Sequence, residues 1–179
     1  MAEKKVSSVK KFDADKFYKI ISKRTEKALT GINGEEIAIV ASAEGQEWKF
    51  EEVSDGWVKI VSKDSGKVLD IILGGTENGA QVHQWEYTGA DNQLWRVESA
   101  GRFVYKIVSK ASGKCLDVVG MTDEDGARVQ IWEDVAGENQ TWKIQAVKAK
   151  SSVAKAPAEK KTAAKKPAAK KKAPAKKSK

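Results

Sequence analysis

Two sets of five side chains occur in the same order, 47 residues apart. The first is Asp70, His83, Trp85, Asn92 and Gln93; the second is Asp117, Gln130, Trp132, Asn139 and Gln140. A carboxylate accepts hydrogen bonds from neighbouring donors, and side-chain amides donate and accept in a fixed geometry. An indole adds a broad apolar face. The sets differ at one position, where His83 stands in place of Gln130. Imidazole also forms hydrogen bonds, and it titrates near neutral pH. These groups suit binding better than bond cleavage. The chain holds one histidine and one cysteine. Asp70 and Asp117 belong to different repeats, so they should not form a close pair of catalytic acids. Nothing near His83 in sequence resembles a zinc ligand set. No metal and no cofactor is expected, and the chain reads as non-enzymatic.

The elements that must position these residues repeat too. Gln46-Glu47-Trp48, Gln93-Leu94-Trp95 and Gln140-Thr141-Trp142 recur every 47 residues. A second motif lies upstream in each copy: Tyr18–Lys23, Val58–Lys63 and Tyr105–Lys110. Its first copy starts 40 residues before the second, and the second 47 before the third. The first repeat is therefore about seven residues short, and the loss falls between Leu29 and Gln46.

Val58–Val61 and Val104–Val108 alternate and are rich in β-branched residues, which predicts strands. Asp64-Ser65-Gly66-Lys67 and Ala111-Ser112-Gly113-Lys114 read as turns. Val68–Ile71 and Cys115–Val118 are the expected return strands, Val82–Trp85 and Val129–Trp132 the third strands, and the Gln-x-Trp segments the fourth. Four short strands in each of three repeats give an all-β chain with no convincing helix. No repeat can bury its apolar face alone, so a closed threefold arrangement, a β-trefoil of three four-stranded repeats, is expected. Trp48, Trp95 and Trp142 are expected in the core. Cys115 is expected as a small buried hydrophobe.

Charge divides the chain. The formal net charge is +8, yet residues 148–179 hold thirteen lysines and one acid, and the preceding residues carry −4. The expected organisation is a flexible segment over 1–16, a globular body over 17–147 and a disordered basic tail over 148–179. No separate catalytic domain is expected beside a body of this size. The lone cysteine cannot form an internal disulfide. The N-terminal residues lack the apolar run of a signal peptide, and no stretch approaches the length of a membrane span. An intracellular location is expected.

The three Gln-x-Trp copies resemble the ricin B-type lectins, also described as family 13 carbohydrate-binding modules. The resemblance covers residues 17–147 and implies a β-trefoil that binds glycans of the galactose or xylose type. A pyranose offers an apolar face and a ring of hydroxyls, which an aromatic and a few polar groups can match. By this resemblance Asp117 grips two hydroxyls, Trp132 stacks on the sugar, Asn139 and Gln130 complete the polar ring, and Gln140 supports Asp117. Asp70, His83, Trp85, Asn92 and Gln93 would do the same in the second repeat. The first repeat departs from the pattern, with Thr30 for the acid, Ala38 for the aromatic and Gly45 for the Asn. It keeps Gln46 and Trp48, so two sites are expected.

The tail is similar to the C-terminal tails of linker histones and bacterial histone-like proteins. Lys165, Lys166, Lys170, Lys171, Lys172, Lys176 and Lys177 are the expected polyanion contacts. With no arginine or aromatic in the tail, base-specific readout is not expected. A nucleic-acid- or nucleoid-associated protein that binds DNA or RNA phosphates through the tail, with the trefoil as an interaction scaffold, is the alternative reading; a solvated tail without a specific partner, or contact with an anionic membrane or cell-wall polymer, are the others.

Overall fold

The computed structural model describes residues 9–147. Twelve strands follow in chain order: β1 (Tyr18–Ser22), β2 (Ala28–Ile32), β3 (Glu36–Val40), β4 (Trp48–Ser54), β5 (Trp57–Ser62), β6 (Val68–Ile71), β7 (Val82–Trp85), β8 (Trp95–Gly101), β9 (Val104–Ser109), β10 (Cys115–Val118), β11 (Ala127–Trp132) and β12 (Trp142–Ala146). The only helical elements among the described residues are four single 3-10 turns. None is long and apolar enough to cross a membrane.

Six strands close into a ring. β1 pairs with β12 and β4, β5 pairs with β4 and β8, and β9 pairs with β8 and β12. Along β1 and β5 burial alternates, as a barrel wall with one face inward requires. The other six strands form the hairpins β2–β3, β6–β7 and β10–β11. Each hairpin joins the ring through one bridge: Ile21 to Ala28, Val61 to Val68, Val108 to Cys115. The hairpins also meet one another. β11 pairs with β3 through Ala127 and Arg128, Gln81 bridges to Gln130, and Gln84 N donates to Glu35 O at 2.7 Å. The result is the β-trefoil expected from the repeats.

Trp48, Trp95 and Trp142 are fully buried in the core. Their indole nitrogens donate to Leu29 O at 2.9 Å, Leu69 O at 2.9 Å and Leu116 O at 3.1 Å. Each indole ties its hairpin to the barrel, which explains why all three copies keep it. Truncating any of them to Ala would cost about 3–5 kcal/mol. The expected fourth strands begin at these tryptophans. Gln93 and Gln140 end the 3-10 turns Asp91–Gln93 and Glu138–Gln140 just before them.

Part of the segment expected to be flexible is instead packed on the barrel. Phe12 stacks on Phe50 with ring centroids 3.9 Å apart and meets Tyr18 edge-on at 5.3 Å. Lys10 N donates to Val97 O at 2.9 Å, and Val9 bridges Glu98. Charged neighbours mask Phe12 in the sequence, but its ring has apolar area to bury. Residues 1–8 and the basic tail, with the seven lysines named above, lie outside the described residues.

Candidate functional site

Each hairpin of the second and third repeats brings its acid opposite one polar residue. The β6–β7 register pairs Asp70 with His83 and Val68 with Trp85. The β10–β11 register pairs Asp117 with Gln130 and Cys115 with Trp132. Two-residue periodicity then puts acid, polar partner and indole side by side.

In the third repeat Gln130 Nε2 donates to Asp117 Oδ1 at 3.0 Å, and Asn139 Nδ2 donates to Asp117 Oδ2 at 2.7 Å and to Val118 O at 3.3 Å. In the second repeat His83 Nε2 lies 3.0 Å from Asp70 Oδ1. An ionised carboxylate only accepts, so that nitrogen carries the proton. Asn92 Nδ2 donates to Asp70 Oδ2 and to Ile71 O, both at 3.1 Å. Each carboxylate oxygen accepts one amide or imidazole hydrogen and keeps further lone pairs for a ligand. Both acids are buried. Burial pushes the Asp117 carboxyl above the usual aspartate range, and the amides of Gln130, Gln140 and Asn139 pull it back only in part.

Gln93 and Gln140 act mainly on the loop after each indole. Gln93 Nε2 donates to Glu86 O at 2.7 Å, and its Oε1 accepts from Thr88 N at 2.7 Å. Gln140 Nε2 donates to Glu133 O at 2.7 Å, and its Oε1 accepts from Val135 N at 3.2 Å. Both are fully buried. They fix the loop that carries the chain from indole to Asn, and so set where Asn92 and Asn139 stand.

The indoles differ in their surroundings. Trp85 is 42% exposed. Its ring lies nearly parallel to His83, with centroids 5.4 Å apart, and Lys67 Nζ is 5.5 Å from its centre. Trp132 is half-buried. The loop preceding β7 reaches over from the second repeat. Gly79 N donates to Ile131 O at 2.9 Å, and Asn78 Oδ1 accepts from Glu133 N at 3.0 Å. A Cβ on Gly79 would lie 3.8 Å from both the Trp132 ring and Gln130 Oε1. The candidate site of the third repeat thus has a wall supplied by the preceding repeat, and the Gly79 φ of 92° is what favours glycine there.

The missing residues of the first repeat explain the difference. The ten residues 72–81 that connect the Ile71–Val82 pair have five counterparts, 32–36, after the Gly31–Ile37 pair, and of these Ile32 and Glu36 are themselves paired. The loop from Val40 to Gln46 is two residues shorter than the loop from Trp85 to Gln93. A five-residue turn is too short to form a similar wall. It meets the second repeat through Glu35, whose carbonyl binds Gln84 N and whose carboxylate pairs with Lys67 at 3.4 Å.

The first repeat is closed as a site. Thr30 Oγ1 donates to Ala28 O at 2.9 Å and accepts from Gln46 Nε2 at 3.2 Å. Gly45 lies against β2, and a Cβ there would sit 2.5 Å from Gly31 O. One assignment changes. Ala38 pairs with Thr30, the place of His83 and Gln130, while Val40 pairs with Ala28, the place of Trp85 and Trp132. Deletions on both sides of β3 blur this two-residue offset in the sequence.

Among the described residues no group of three or more His, Cys, Asp or Glu could hold a metal ion. Eight of the ten residues named from the sequence lie on the acid-bearing hairpins or bond their acids, Gln93 and Gln140 bond the loops behind them, and Asn78 and Gly79 are not among those named. Their one signal is the extra turn length before the third strand.

The sequence matches the ricin-type beta-trefoil lectin domain-like family in three overlapping segments, residues 9–85, 44–132 and 91–161. No curated protein sequence matches the chain. Among solved structures, the designed threefold-symmetric protein ThreeFoil is 34% identical, with a TM-score of 0.68; the match covers 72% of this chain and 97% of that one. An exo-β-1,3-galactanase from Clostridium thermocellum is 32% identical, with a TM-score of 0.72; the match covers 77% of this chain but 32% of the galactanase. The ricin B-like lectin of Macrolepiota procera, solved with lactose, is 22% identical over 76% of this chain and 99% of its own, with a TM-score of 0.66. The threefold fold, the three Gln-x-Trp anchors and the family match agree: the chain belongs to the ricin-type β-trefoil lectin domain-like family.

Proposed function

We propose that this chain is a non-enzymatic carbohydrate-binding protein with two sugar sites. One is built on Asp70, His83, Trp85 and Asn92, the other on Asp117, Gln130, Trp132 and Asn139. The observation that carries the reading is the pairing, in two repeats alone, of a buried carboxylate held by amide or imidazole donors with an indole beside it. Such a group can grip adjacent hydroxyls while the indole covers the apolar face of a pyranose. Galactose- or xylose-type glycans are the expected ligands, and the lactose complex of the Macrolepiota lectin and the galactanase neighbour support the galactose class. Two sites on one rigid body favour multivalent glycans by avidity.

Residues 148–179 form a separate basic tail in this reading, and their +12 charge suits phosphate-bearing polyanions, nucleic acid foremost. With about eight phosphate contacts, log affinity should fall against log salt with a slope near −7. The lone cysteine and the lysine tail suit an intracellular setting.

The test is an NMR titration of the full chain with lactose and with xylobiose, following the indole signals of Trp85 and Trp132. Both should shift. Silence of both would overturn both sites, and binding unchanged by Asp117→Ala with Trp132→Ala would overturn the site of the third repeat. Deleting residues 148–179 should abolish DNA binding and leave sugar binding intact.

A further inference from the structure

We propose that the site of the second repeat continues into a cavity where the three hairpins meet, and that this cavity takes the next unit of an oligosaccharide, while the site of the third repeat takes a single terminal unit. This rests on the carbohydrate-binding reading above. The two sites share acid, indole and Asn but not their surroundings. In the third repeat Gly79 stands against both the polar residue and the indole, since a Cβ there would lie 3.8 Å from Gln130 Oε1 and from the Trp132 ring. Gly34 is its counterpart. Ala80 O accepts from Ile131 N as Glu35 O accepts from Gln84 N, and each glycine directly precedes its acceptor. A Cβ on Gly34 would meet nothing within 4 Å. The turn that walls one site therefore stands clear of the other. A sugar covered on one side can be linked only on the other, so the walled site takes the end of a chain.

Beside His83 lies a cavity of about 480 Å³ instead, lined by Ile32, Glu36, Ala38, Ile72, His83 and Arg128 among others. All three repeats contribute, and the first makes the room. Its five residues 32–36 stand for the ten of 72–81, and Ala38 pairs with Thr30 where a full site has His or Gln. Loss of the first site thus opens the second. His83 belongs to both spaces: Nε2 lies 3.0 Å from Asp70 Oδ1, and the residue lines the cavity. A unit linked to the sugar on Trp85 would enter past this imidazole. The cavity suits it. Ile32 and Ile72 offer aliphatic surface, and the carboxylate of Glu36 and guanidinium of Arg128 offer strong hydrogen bonds to hydroxyls. Its volume falls within the range of small-molecule sites, roughly 300–1,000 Å³.

The test is an NMR titration of the full chain with methyl β-galactopyranoside against β-1,3- and β-1,4-galactobiose, and with methyl β-xylopyranoside against xylobiose, reading the Trp85 and Trp132 indole signals separately. For at least one linkage the dissociation constant read at Trp85 should fall about tenfold from the one-unit to the two-unit sugar, as added hydrogen bonds would give. The constant read at Trp132 should change by less than about twofold, since its wall leaves the second unit in solvent. In the double variant Glu36→Ala with Arg128→Ala the gain at Trp85 should shrink to about threefold or less. Both side chains are exposed, so the melting temperature should hold. No gain at Trp85 for any linkage, an equal gain at Trp132, or a gain kept in full by the variant would overturn the extended site and leave the carbohydrate reading standing. A chain whose indoles shift with none of these sugars loses both.

Discussion

Asp117→Asn should separate binding from stability. The substitution keeps shape and removes charge. Asn139 Nδ2 also donates to Val118 O, so it must keep facing an oxygen at residue 117. Gln130 has no such second bond to hold it, so its amide can turn over and accept from the new NH2 group. The cavity therefore stays satisfied. A ligand loses more. Hydrogen bonds to a charged group are worth about 1.5–3 kcal/mol and neutral ones about 0.5–1.5. Over two hydroxyls the loss is roughly 2–3 kcal/mol, or about 30- to 150-fold in dissociation constant. The assay is the Trp132 indole signal during a lactose titration, because the second site should be unaffected. Stability should move the other way. The folded Asp117 carboxyl titrates above its unfolded value of 3.8, chiefly through burial. The folded state therefore holds more protons in that window, and native stability falls as pH rises from about 4 through the folded value. The Asn variant lacks this loss, so its relative stability should rise over that window and level off above it. Urea unfolding at pH 4 and pH 7 measures the difference. A variant less stable than the native chain at pH 7 by more than about 1 kcal/mol, or an unchanged Trp132 titration, would refute the reasoning.

Three further outcomes are expected. Gln140→Ala removes a buried amide with both ends bonded and should cost about 2 kcal/mol, lowering the melting temperature by roughly 4–8 °C. Gly113 has φ of 70° and open space where a Cβ would stand, so Gly113→Ala should cost about 1 kcal/mol from backbone strain alone, and Gly113→Asn less, both read by denaturant unfolding. The Cys115 thiol is pushed up to about 12 by burial, so iodoacetamide should label it at pH 8 roughly a thousandfold more slowly in the native chain than in urea.

The repeat period makes the twelve strands and both acid–indole sets legible, because a constant 47-residue spacing keeps each side chain on the same strand face. It fails where spacing changes. The deletions flanking β3 hide the match of Val40, rather than Ala38, to the indole positions. Walls made across repeats are also invisible, since Asn78 and Gly79 have no local signal tying them to Trp132. The packing of Phe12 escapes notice because one ring among charged residues shows no periodicity.

The pairing of β1 with β12 joins the two ends of the body, and Val147 N donates to Phe17 O at 2.8 Å. A chain cut short before Trp142 would leave β1 with a row of unpaired backbone groups and take from β9 its bridge at Tyr105, and the bared β1 edge is a template for joining strands of other molecules. The ring also closes over the longest separation in the body, which slows its final step relative to the hairpins. Premature termination should therefore yield aggregates rather than a smaller soluble domain. Conversely, ends lying side by side should tolerate being joined, with new termini opened at the Asp55-Gly56 turn.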